Sequence, residues 1–102
     1  YEMIWGAPPV INDNNMAALA AKAAKKVLGE DNVITELPAP NMGGEDFAYY
    51  LEELPGAFMF LSSSNPAKGT DVAHHNPKFN VDEDVLWEGA AVFVAVVEEF
   101  LK

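Results

Sequence analysis

The sequence predicts an α/β domain, or its α+β relative, with elements in the order β-α-β-α-β-α around a small mixed sheet. Three observations predict it. Apolar residues recur at helical spacing in three windows, and they alternate or run on in three shorter ones. Helical and extended windows follow one another along the chain. The 102 residues are enough for one core and no more.

The first window, "YEMIW", puts Tyr1, Met3 and Trp5 at alternate positions, as in a half-buried strand. Pro8 and Pro9 end it, because neither carries an N–H for a ladder. Asp13 is the expected N-cap of a helix over 14–28, with Met16, Leu19, Ala20, Ala23 and Val27 as its apolar stripe and Gly29 as its stop. Lys22, Lys25 and Lys26 fall late in that helix, where they complement its dipole. "NVITEL" reads as a short strand closed by "PAP". In "NMGGEDFAYYLEELPG" a glycine turn opens a second helix that buries Phe47, Tyr50, Leu51 and Leu54.

"AFMFL" is apolar throughout and predicts a central strand. "SSSNPAKGTDVAHHNPKFN" has no regular period, and loops of that length in compact domains are commonly functional. A last helix is expected over about 83–101, capped by Asp82, with Leu86, Ala90, Phe93, Val97 and Phe100 along one stripe. Tyr1 begins inside a strand pattern, which reads as a piece of a longer polypeptide.

Composition narrows the partners. Sixteen acids face six lysines and no arginine, for a formal charge of -10. Nucleic acid and anionic membrane both demand positive charge, so neither is expected as a partner. Without arginine, an anionic ligand would have to be met by backbone N–H groups, a lysine or a metal. No apolar run approaches the roughly 20 residues of a membrane span. The chain has no cysteine, which excludes disulfides and thiolate ligands and fits a cytoplasmic location.

Three stretches could carry chemistry. Gly43 and Gly44 precede a helix, so the backbone there could approach an anion closely, or could simply make a tight turn. His74 and His75 stand in the long loop, where an imidazole could ligate a metal. Zinc takes three or four protein ligands, however, so two loop histidines alone do not make a site. Asp82, Glu83 and Asp84 stand at a helix start, where acids are stabilised, and read as a solvated cap.

Taken in order, "PPVIND", "MGGEDFAYYLEELPGAFMFL" and "HHNPKFNVDEDVLWEGAAVF" resemble the C-terminal part of the zinc aminoacylase/carboxypeptidase-like amidohydrolases, in the branch of hippurate hydrolases and N-acyl amino acid amidohydrolases. The resemblance implies a catalytic domain with two metal ions (zinc, manganese or cobalt) and an inserted lid or dimerisation domain. It implies that residues 1–6 end the lid strand and 7–102 close the catalytic domain. It makes His75, two residues before Pro77, a metal ligand, and the Gly43–Gly44 turn the backbone that faces the substrate carboxylate. The general base and the other ligands of such enzymes lie in an N-terminal portion with no counterpart here. The isolated chain is therefore expected to be inactive, with that portion or a second copy as its partner and N-acyl amino acids as the substrate of the complete enzyme. The competing reading is a non-catalytic acidic α/β module that acts through protein contacts.

Overall fold

The Asp13 carboxylate accepts hydrogen bonds from the backbone N–H groups of Asn15 and Met16, both at 2.9 Å, and so starts helix α1, Asn14–Leu28. Gly29 ends it with φ 90°, a conformation that favours glycine. Helix α2 is the short Ala48–Glu53, and α3 is Leu86–Phe100. Single 3₁₀ turns follow α1 (Glu30–Asn32), break the long loop (Pro66–Lys68) and lead into α3 (Glu83–Val85). The computed structural model describes all residues, 1–102.

The structure contains no strand, so the predicted α/β or α+β class with a small mixed sheet does not hold. The physical reason is pairing. A helix satisfies its own backbone, whereas a strand needs a neighbour. No backbone–backbone hydrogen bond reaches residues 1–6, 33–37 or 57–61, the three stretches marked as strands. They carry no ladder.

What the chain does bury is small. Seven of 102 residues are buried, and the radius of gyration is 15.7 Å against about 13 Å for a compact chain of this length. The packed unit is α1 against α3. Ala20, Ala23 and Ala24, at helical spacing, give α1 its buried face, and Val92 is the buried residue of α3. The stripe expected on α1 is thus half-buried or buried throughout. The stripe expected on α3 lies on the wrong side: Leu86, Ala90, Phe93, Val97 and Phe100 are all exposed. α3 packs through Val92 and the Glu99 one heptad further on, and it leaves its second apolar face bare. Tyr50 and Leu54 of the α2 region are exposed as well.

Glu99 clamps the two helices together. Its side chain is 7% exposed and pairs with Lys22 and Lys26 of α1 and with Lys102 at 3.0 Å. Those bonds, led by Lys22, hold its carboxyl far below the usual carboxylate range. A carboxyl so depressed adds stability at pH values above its unfolded pKa, and that stability is lost as pH falls through the folded one. The thermal midpoint, followed by helical circular dichroism, is therefore expected to be level down to about pH 5 and to fall below about pH 4.3. Glu99→Gln should lower the midpoint at neutral pH and flatten the acid-side fall. An unchanged acid profile in that variant would place the sensitivity elsewhere.

Candidate functional site

The long loop is more ordered than its sequence implies. Asn65 initiates the turn Pro66–Lys68 through its Oδ1, which accepts from the Ala67 N–H at 3.1 Å. Gly69 closes that turn at φ 67°, and the Thr70 N–H donates back to the Asn65 carbonyl at 3.1 Å. Thr70 Oγ1 accepts from the Asn65 N–H at 3.0 Å and donates to the Ser63 carbonyl at 2.8 Å. Asp82 then ties this turn to the start of α3. Its carboxylate accepts from Asn65 Nδ2 at 2.8 Å, Lys68 Nζ at 2.6 Å and the Asp84 N–H at 3.2 Å.

The solvated cap is thus corrected in part. Asp82 does cap the turn Glu83–Val85, but it is only 6% exposed. The Lys68 ammonium, followed by the Asn65 amide, holds its carboxyl below the usual range. Asp82 and then Asp84 push the Lys68 ammonium above its ordinary value.

His75 stands inside the loop that this arrangement closes. Its φ is 64°, and it is the one non-glycine residue in the left-handed region. Such a backbone costs on the order of 1–3 kcal/mol, which surrounding structure must hold in place. His74 is differently occupied, with its ring edge-on to Phe79 at 4.9 Å between centroids. No three His, Cys, Asp or Glu side chains converge anywhere in the chain. His75 therefore belongs to no ready-made set of three ligands.

The glycine pair is exposed, and neither glycine has a positive φ. The Gly43 N–H donates to Asn41 Oδ1 at 2.8 Å, whereas no internal acceptor takes the Gly44 N–H. A side chain at Gly44 would meet nothing within 4 Å, so that backbone is open to approach. Glu45, the first acid after the pair, accepts from the Phe47 N–H at 3.0 Å and so initiates the α2 turn. Two open surface depressions, one beside Lys22 and Lys26 and one between Asn12 and Gly56, are lined by neither glycine and not by His75.

Asn12 was not legible as a structural residue. Its amide grips the backbone of Phe58 from both sides: Oδ1 accepts from the N–H at 2.8 Å, and Nδ2 donates to the carbonyl at 3.2 Å. The Asp13 N–H adds a bond to the Gly56 carbonyl at 2.9 Å. A side-chain amide here does what a neighbouring strand would do for 57–61. The one available signal was an amide, able to donate and accept, directly before a helix cap. The Phe58 ring in turn packs tilted against Phe47 at 5.3 Å and edge-on to Phe60 at 5.1 Å, which joins the start of α2 to segment 57–61.

Comparison with known proteins follows the same residues. The family model described as "Peptidase family M20/M25/M40" matches residues 1–99. The chain is 33% identical over 95 residues to IAA-amino acid hydrolase ILR1-like 2 of Arabidopsis thaliana, covering 93% of this chain and 21% of that protein. It is 38% identical over 94 residues to IAA-amino acid hydrolase ILR1-like 6 of the same plant, covering 92% and 20%. With N-acetyl-L-cysteine deacetylase of Bacillus subtilis it shares 43% over 83 residues, covering 79% and 17%. The chain thus spans about a fifth of the length of these curated relatives. No solved structure matches it.

Proposed function

The chain belongs to peptidase family M20/M25/M40, and from that premise we propose that it is the C-terminal part of an amidohydrolase that cleaves the amide bond of N-acyl amino acids or small peptides. Residues 7–102 close the catalytic domain in this reading, and 1–6 end the lid or dimerisation domain. The observation that carries it is the family match across 1–99, joined to relatives that act on amino-acid conjugates or an N-acetylated amino acid by their names.

The enzymes of this family are metal-dependent. The residues present do not by themselves fit an ion, because one imidazole falls short of the three or four ligands that zinc takes. His75 supplies one ligand in the complete protein, and the open Gly44 N–H faces the substrate carboxylate. Its left-handed backbone supports the role of His75, since such strain gathers where a side chain must be aimed. The uncovered face of α3 supports a second point: the rest of the catalytic domain docks there. The chain alone is inactive.

Co-expression with the N-terminal portion of a family relative tests this. Hydrolysis of hippurate-like substrates with added zinc, manganese or cobalt is expected from the pair and from neither part alone. No turnover with any metal would defeat the hydrolase reading. A monodisperse monomer by light scattering that ignores the N-terminal portion would favour a non-catalytic interaction module instead.

A further inference from the structure

We infer that Asp82 is a positioning residue: with Lys68 and Asn65 it latches the base of the 71–81 loop and so fixes where His75 stands. Thr70 and Asp82 are the two polar residues buried as whole residues, and they stand at the two ends of this loop. Between them, residues 73–80 are exposed and contribute no core. Inside the loop the restraints are slight. The Phe79 N–H donates to the Asn76 carbonyl at 2.9 Å, the Lys78 N–H donates to Asn76 Oδ1 at 2.9 Å, and the His74 and Phe79 rings touch. With so little holding the loop along its length, its placement is decided at its ends, as in a compact loop whose ends lie close together.

The latch is fully satisfied. Asp82 takes three donors, one from each of Asn65, Lys68 and Asp84, and no buried side-chain polar atom in the chain lacks a partner. Asn65 is the shared member, since it also sets the turn that carries Lys68 and holds Thr70. The plain alternative is that Asp82 is a helix cap and nothing else. A cap needs only the Asp84 N–H contact, and asparagine caps as well as aspartate. The latch needs the negative charge facing Lys68, because an asparagine would lose the charge-assisted bond. Asp82→Asn therefore separates the two roles. Lys68→Met removes the partner without touching the cap, from a side chain that is 43% exposed.

The role of His75 in this inference rests on the proposed function, whereas the latch can be read without it. The test is amide hydrogen exchange and NMR on the whole 102-residue chain with no metal added. Both variants are expected to speed exchange at Thr70 and Phe79 about tenfold or more, with α3 amides from Val92 onward unchanged. The strong intraresidue amide–Hα NOE that the left-handed backbone of His75 gives should weaken, and Lys68→Arg should restore much of both readouts. Wild-type protection at Phe79 and a wild-type NOE at His75 in both variants would reduce Asp82 to a cap and overturn the latch. Should Asp82→Asn lose α3 by circular dichroism, Lys68→Met alone decides by the same two readouts. An intact latch in a complemented protein that hydrolyses nothing would count against the hydrolase reading and leave this inference standing.

Discussion

Exchanging Phe93 and Val97 together for glutamate is expected to leave the helices of the isolated chain in place and to abolish complementation with the rest of the enzyme. Both residues lie on the bare side of α3, 70% and 57% exposed, away from the Val92 and Glu99 side that packs on α1. In the isolated chain the change replaces exposed apolar surface with exposed charge, a substitution usually within about 0.5 kcal/mol. Docking reverses the sign. Burying a Phe or Val side chain contributes about 1.5–3 kcal/mol, and burying an unpaired carboxylate costs several more. Together these should weaken association by roughly a thousandfold or more. Circular dichroism of the variant and a titration of activity against the N-terminal portion measure the two halves. A variant that still complements at the wild-type concentration would show that this face stays in solvent in the complete protein.

His75→Ala in the complemented enzyme should remove at least one metal equivalent and lower hydrolysis by more than about 100-fold. The bound is set by partners that merely orient a ligand, whose loss already costs about 10–100-fold. His74→Ala is the control. His74 spends its ring on Phe79, so its loss should relax the loop and lower activity only a few-fold. Elemental analysis beside the kinetics separates a lost ligand from a loosened loop. If His74→Ala proves the more damaging, the ligand has been assigned to the wrong neighbour.

The two histidines also show how far the sequence could be read. Adjacent in a loop, they are equivalent to composition, and their spacing to Pro77 selects His75 only through the resemblance to a family. The structure separates them physically, with one ring edge-on to an aromatic and the other on a left-handed backbone. Asn12 and Asp82 were harder to see. What each does depends on a partner 46 residues away in one case and 14 in the other, and no local pattern encodes that distance.

By itself, the sequence determined what is settled within a few residues. It gave α1 its start at Asp13 and its stop at Gly29, α3 its place after Asp82, and the ordered motifs their family. A helix closes its own hydrogen bonds, and a cap acts on the next turn, so both can be read locally. The tertiary structure alone decided three further things: no strand forms, the second apolar face of α3 is the bare one, and Asp82 is a buried tie rather than a solvated acid. The reason is the same for each. An apolar period says which faces can be buried and an extended stretch says where a ladder could run, but burial and pairing belong to two partners at once. For 57–61 the partner found within these 102 residues is a single asparagine side chain.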